Sequence, residues 1–401
     1  MQILKFPALH QNLESTRAGL EGLRAAWREK ESLILVQEPA SVDSAWFDRT
    51  LGQVDAAFPE GCFALLTSGS TGAPKLVVGL KSRAEALAHV IHEHQSLEVV
   101  QTTVSSLPFT YSYCLVNQWI WSNVFGRPLI PTAGLADPEG WAETLDRSPA
   151  SMVCLVGSQV SLMRRYFSPG RRFPEVIRVN FAGGVFPAGD LDYLRDLFPR
   201  ADIYNNFGCT EALPRLTIRK IETVEDAAIL GRPLPGVEMH VAEGGALHFR
   251  SPYGALAVAD AQGLRSFGVG EWIPTGDVGE SAGENLWRIV GRGNEVFKRF
   301  GEKISLQVIG DALRQVWKRS FAFYLEEEKD GQWGHVLVVA PRPSEMELRG
   351  IFGVFREKFR RPHWPVRIES VDDIPFLANG KPDAKSLASL EGKTVVWKQY
   401  R

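Results

Sequence analysis

The apolar positions of the chain fall into two periods. Leu13, Leu20, Leu23 and Trp27 recur on one helical face, and Leu33-Ile34-Leu35-Val36 follows as the short unbroken run that a buried strand presents. The alternation then continues, predicting strands at 63–66, 76–78, 152–156, 176–181 and 203–205 and helices at 82–95, 158–167 and 188–197. Strand and helix in turn predict an α/β fold with crossover helices. From Gly236 to Val290 the pattern changes to short alternating segments, such as Glu238 to Val241 and Ala246 to Phe249, between glycine turns, which predicts a small β-rich subdomain without long helices. Beyond Gly291 the remaining residues read as helix, two strands (Phe321 to Glu326 and Val336 to Ala340), helix and strand, an α+β unit large enough to fold alone. The expected domains are therefore an N-terminal core over 1–290, with its β-rich subdomain at 236–290, a hinge at 291–294 and a mobile C-terminal domain over 295–401.

Composition narrows the partners. A chain of 401 residues, 44% hydrophobic, can bury a large core and divide into two or three domains. Its net charge of -2 offers no basic excess for a polyanion, so nucleic acid is not expected and any phosphate recognition must be local. No stretch approaches the roughly 20 apolar residues of a membrane span. Cys62, Cys114, Cys154 and Cys209 are scattered, with neither a zinc nor a redox spacing, which suits core thiols in a reducing cytoplasm. A cytoplasmic protein is expected.

Candidate chemistry starts at Thr67-Ser68-Gly69-Ser70-Thr71-Gly72-Ala73-Pro74-Lys75, between two predicted strands. Glycines let backbone N–H groups converge on an anion, hydroxyls add donors and a lysine adds a point charge, so the segment suits phosphate, although a polar surface loop shares its composition. It lacks the spacing and the Gly-Lys-Ser/Thr ending of a P-loop. Further segments follow in order: Ala182-Gly183-Gly184; Asn205-Asn206-Phe207-Gly208-Cys209-Thr210-Glu211; Gly231 to Gly236; Thr275-Gly276-Asp277; Gly291-Arg292-Gly293-Asn294; Phe297 to Ile304; and Pro375 to Asp383 with Gly380-Lys381.

Taken together, in this order across residues 63 to 387, these segments resemble the acyl-adenylate-forming (AMP-binding) superfamily of acyl-CoA synthetases, aryl ligases, luciferases and peptide-synthetase adenylation domains. The resemblance implies ATP and Mg2+ as cofactors. It places the ATP phosphates on the loop from Thr67 to Gly72 with Lys75, the turn at Gly183 and Gly184 beside adenine and the acyl pocket, Phe207 stacked on adenine, and Asn206 and Gly208 in the same ATP site. Thr210 would contact phosphate, Glu211 would hold the metal as a hard carboxylate ligand, Asp277 would accept the ribose hydroxyls, and Arg292 would contact ribose or phosphate. Lys381 would be the catalytic lysine, bridging carboxylate and α-phosphate. Gly231 to Gly236 takes a structural role. Asn294 stands where the family usually has an aspartate or lysine hinge, with Gly293 beside it to ease the pivot, and the loop around Gly301 would meet the acceptor thiol. The phosphate loop begins earlier in the chain than is usual in the family, which suggests a member with a shortened N-terminus.

Leu107-Pro108-Phe109-Thr110-Tyr111-Ser112-Tyr113 resembles the segment lining the family's acyl pocket. Phe109, Thr110, Tyr111 and Tyr113 are the pocket candidates. Amino-acid-activating relatives carry an aspartate where Thr110 stands, and an ammonium buried without a counter-charge is costly, so an acid lacking an α-amino group is expected, aryl before fatty. The implied reaction is ATP-dependent formation of an acyl-adenylate with release of pyrophosphate, then transfer to the pantetheine thiol of coenzyme A or an acyl carrier protein. Transfer to an amine or hydroxyl, or a non-catalytic ATP-binding homologue, are the alternatives. Two features are set aside: His89, His92, Glu93 and His94 lack a zincin order and read as a solvated helix face, and the charged run from Glu326 to Asp330 reads as a hairpin end.

Overall fold

The computed structural model describes residues 1–7, 12–38, 43–68, 74–293, 295–328, 331–375 and 382–399. The chain divides into two compact units, the first formed by Met1–Thr275 with Gly279–Ile289 and the second by Gly276–Val278 with Val290–Arg401.

The first unit is built on two six-stranded sheets. In one, Gln2–Pro7, Leu33–Glu38 and Cys62–Ser68 run parallel, and Pro74–Leu80 then pairs antiparallel with Cys62–Ser68. Helix Leu13–Arg28 makes the first crossover; the Asn12 side chain accepts from the Ser15 N–H to cap it, and Leu23 and Ala26 are buried. In the other sheet, Leu129–Pro131, Thr102–Ser105, Ser151–Leu155, Val176–Phe181 and Asp202–Phe207 lie side by side and parallel, and Thr217–Lys220 closes one edge antiparallel. Parallel strands buried on both faces explain the unbroken apolar runs, as in Ser151–Leu155, all of whose residues are buried.

One expectation is corrected. The β-rich stretch does not form a single subdomain, because Ala257–Asp260 and Gly263–Ser266 extend the first sheet, Ala257, Val258 and Ala259 pairing with Val78, Val77 and Leu76. Glu238–Val241 and Ala246–Arg250 instead enter a separate four-stranded sheet. Local periodicity predicts a strand but not its partner, which here lies far away in the sequence.

The second unit has a short hairpin, Val296–Arg299 with Glu302–Ser305, then helix Leu306–Leu313 and a four-stranded sheet ordered Ser320–Glu327, Trp333–Ala340, Arg367–Ser370, Thr394–Lys398. Helix Glu345–Lys358 starts with a full capping box between Ser344 and Glu347. The hairpin, helix Ala384–Ser389 and the final strand add to the elements expected from the sequence. The described part of the charged run, Glu326 to Glu328, lies at the end of the strand Ser320–Glu327 and is ion-paired: Glu326 pairs with Arg367, and Glu328 pairs at 2.7 Å with the buried Arg299.

Candidate active site

The parallel sheet sets where the motifs gather. Phe181 pairs with Asn205 on the neighbouring parallel strand, so the turn after Val176–Phe181 and the turn after Asp202–Phe207 leave the same edge. Open α/β sheets bind ligands beyond the carboxyl ends of their strands. Gly183 and Gly184 form the first of these turns and are exposed, and Gly183 has φ +77°, a backbone conformation that favours glycine.

The second turn is a hairpin loop into Thr217–Lys220, closed by the Leu216 N–H donating to the Phe207 carbonyl at 2.9 Å. Gly208 must be glycine on steric grounds: a Cβ there would sit 1.8 Å from the Pro214 carbonyl oxygen, because the loop folds back across it. Thr210 and Glu211 follow in a single 3-10 turn, half-buried. Phe207 is partly buried against the core. The Asn206 side chain is buried in an amide network with Asn180 (2.9 Å) and Gln95 (3.3 Å), which positions the strand.

Glu211 meets the cation of the phosphate motif: the Lys75 ammonium forms an ion pair with its Oε1, bridging 136 positions of sequence. Thr67, paired with Lys75 across the Cys62–Ser68 and Pro74–Leu80 strands, carries a buried hydroxyl with no hydrogen-bond partner among the described residues. Ser68 ends its strand. Gly69, Ser70, Thr71 and Gly72 lie outside the described residues, as do Asn294 and Lys381. One half-buried carboxylate beside a lysine and an orphaned hydroxyl fits a Mg2+ ion, which is commonly held by one or two carboxylates plus substrate phosphates rather than by an all-protein cage.

In the second unit, Asp277 is buried and forms an ion pair with Arg292, Nε to Oδ1 3.1 Å, while the Gly293 N–H donates to the Gly276 carbonyl at 2.9 Å. Gly301 stands at the tip of the short hairpin with Phe300, both at positive φ (+79° and +49°), the pattern of a two-residue type I′ turn. Arg299 anchors that hairpin through the Trp364 carbonyl at 2.8 Å and through Glu328.

The acyl-pocket candidates separate. Phe109 is fully buried in the first unit's core, as are Trp119 and Trp121, so these rings act as packing. Thr110 is buried and its hydroxyl donates to Gln37 Oε1 at 3.2 Å, whereas Tyr111 is exposed. Tyr113 is buried, and burial pushes its phenol well above the ordinary range. It opens a helical stretch whose middle, Leu115–Ile120, is a π-helix, a form frequent at functional sites. Sequence reasoning missed Arg215, a lone cation within the apolar run from Ala212 to Leu216, whose guanidinium lies 5.3 Å from the Tyr113 ring. That mismatch of charge and setting was the available signal.

The set-aside groups also resolve. His92 is not a solvated residue: it stacks on Phe125 with ring centroids 3.8 Å apart and accepts from Trp121 Nε1 at 3.2 Å. His89 and His94 are exposed, and no group of three metal-ligating side chains occurs among the described residues. Three cysteines are buried and Cys209 is half-buried.

The profile of the AMP-binding enzyme family matches residues 12–265. The chain belongs to the AMP-binding enzymes. Among curated AMP-binding relatives it is 25% identical over 371 residues to a medium/long-chain-fatty-acid acyl-carrier-protein ligase of Mycobacterium tuberculosis, covering 84% of this chain and 68% of that protein. It is also 22% identical to a hybrid PKS-NRPS synthetase of Pyricularia oryzae, over 92% of this chain and 22% of that one. Two solved structures share the fold. An O-succinylbenzoate coenzyme A synthetase of Bacillus subtilis in complex with ATP and magnesium superposes with TM-score 0.69 at 17% identity, over 92% of this chain and 81% of that one. An anthranilate CoA ligase in complex with anthranoyl-AMP gives 0.68 at 18%, over 97% and 79%. No helix among the described residues is long and apolar enough to cross a membrane.

Proposed function

We propose that this AMP-binding enzyme activates a carboxylic acid without an α-amino group as its acyl-adenylate, releasing pyrophosphate from ATP, and passes the acyl group to a pantetheine thiol. The observation that carries the reading is the Lys75–Glu211 ion pair, which joins the phosphate loop to the Thr-Glu motif at one place in the first unit. With Mg-ATP bound, Lys75 would hold phosphate oxygens and Glu211 would hold the metal, which would supply charge neutralisation at the phosphates. Thr67 and Thr210 add hydroxyl donors. Asp277, held by Arg292, takes the ribose hydroxyls.

Lys381 bridges the substrate carboxylate and the α-phosphate in the first half-reaction. The second unit then pivots at Asn294 and brings the hairpin tip at Gly301 to the thiol. An acyl carrier protein is the preferred acceptor, with coenzyme A second, because curated relatives that span most of this chain are named as acyl-carrier-protein ligases. Aryl acids are the preferred substrates. Exclusion of α-amino acids is supported by the neutral Thr110 and by the cation of Arg215, which repels an ammonium.

The test is ATP–pyrophosphate exchange with benzoate-type, cinnamate-type, fatty and proteinogenic amino acids side by side. Exchange is expected with acids of the first three classes, aryl strongest. Robust exchange with an α-amino acid and none with the others would overturn the assignment.

A further inference from the structure

Arg215 is 1% exposed, yet its charge has no counter-ion among the described residues. Its Nη2 donates to Asn117 Oδ1 at 2.6 Å, while Nε and Nη1 are buried with no hydrogen-bond partner. No carboxylate lies within 4.0 Å of the guanidinium among the described residues, and every aspartate and glutamate of the first unit is among them. Burial lowers its pKa from 12.5 only to about 10, so it is cationic at neutral pH. Besides Asn117, the groups that act on its charge are Tyr113, whose ring lies 5.3 Å away, and the thiol of Cys154, whose pKa burial pushes up to about 12 and which is therefore neutral. A buried cation with two unanswered N–H groups is costly, far more than a packing role would justify, unless something supplies an acceptor.

The place of the residue says what that acceptor is. Arg215 ends the hairpin loop that carries Glu211, and it rests on Tyr113, the end of the segment assigned to the acyl pocket. Asn117, which holds one edge of the guanidinium, lies in the π-helical turn after Tyr113 and donates in turn to the Tyr113 carbonyl at 2.8 Å. The fork is thus fixed on one edge and free on the other. A planar guanidinium so held matches an oxygen acceptor presented by a flat or extended molecule.

We propose that Arg215 is a specificity-determining residue that binds a second oxygen group of the acid, a carboxylate or a phenol distal to the carboxylate that is activated. The inference rests on the adenylation reading for its site and narrows the substrate class to oxygen-bearing acids. An unsubstituted ring or alkyl tail leaves the buried N–H groups unpaired, so discrimination against such acids follows from the residue itself.

The test compares benzoate, 3- and 4-hydroxybenzoate, benzene-1,3- and 1,4-dicarboxylate, octanoate and octanedioate in pyrophosphate exchange by the wild-type chain, Arg215→Met and Arg215→Lys. At least one oxygen-bearing acid should exceed its unsubstituted parent in kcat/KM by about 10- to 100-fold, the range of a charge-assisted hydrogen bond. Which arm responds tells phenol from carboxylate. Arg215→Met should raise KM for that acid by a similar factor and so abolish its preference over the parent, and Arg215→Lys should restore part of the preference. Equal use of parent and oxygen-bearing acids by the wild type, or an equal loss for both in Arg215→Met, overturns the proposal. Thermal shift by the acids in the presence of ATP is read in parallel. A shift with oxygen-bearing acids that Arg215→Met abolishes, without any exchange, keeps the Arg215 site and removes the adenylation reading; neither shift nor exchange with any oxygen-bearing acid overturns both.

Discussion

His335 supplies a prediction whose size follows from its setting. The imidazole is fully buried in the strand Trp333–Ala340, edge-on to Phe297 (6.1 Å) and Phe323 (5.6 Å), and neither ring nitrogen has a hydrogen-bond partner among the described residues. Burial first, then the nearby charge of Arg299, lower its pKa from 6.5 to about 3. The unfolded chain binds this proton more readily than the folded one, so the contribution is neutral above pH 6.5 and turns against folding as pH falls towards 3. At 1.36 kcal/mol per unit, the loss reaches about 2 kcal/mol at pH 5 and about 3 kcal/mol at pH 4. Phe297 belongs to the hairpin that carries Gly301, so the loss falls on the element proposed to meet the thiol. The assay is amide hydrogen exchange of the full chain, read in Trp333–Ala340 between pH 7.5 and 4, for the wild type and His335→Phe. The variant should match or exceed the wild type at pH 7.5, and the stability gap should widen in its favour by the stated amounts on acidification. Parallel pH dependence of the two proteins, or a His335 imidazole titrating near 6.5 by NMR, would refute the reasoning.

Two further outcomes bear on the site. Glu211→Gln should raise the magnesium concentration needed for half-maximal exchange by about tenfold or more, since altering even an outer-shell partner of a metal typically costs about 10- to 100-fold; its melting temperature should stay close to that of the wild type, and unchanged activity at limiting magnesium would remove Glu211 from the site. Lys381→Ala should depress adenylation by about 10²-fold or more, as loss of a charge-stabilising donor does, while sparing transfer from preformed acyl-adenylate; equal loss in both half-reactions would sink the division of labour between two conformations.

The order of short motifs was enough to read the family, because each motif is local: a glycine where the chain turns sharply, a hydroxyl or a charge where a phosphate or metal would sit. Periodicity likewise showed the parallel strands, whose two buried faces leave unbroken apolar runs such as Met152 to Leu155. What lies far apart in sequence stayed hidden. That Ala257–Asp260 pairs with Pro74–Leu80, or that Lys75 reaches Glu211, is decided by long-range packing that no local window contains. The same limit applies to side chains whose meaning depends on burial. Phe109 reads as a pocket wall until the core closes over it, Asn206 gives no sign of the amide network it makes with Asn180 and Gln95, and Arg215 reads as one more surface cation until the fold removes water from it and leaves two donors unanswered. Sequence sets which groups are present and the local turn each can make; only tertiary structure sets which of them lose their solvent, and it is that loss which turns an ordinary polar group into one that needs a ligand.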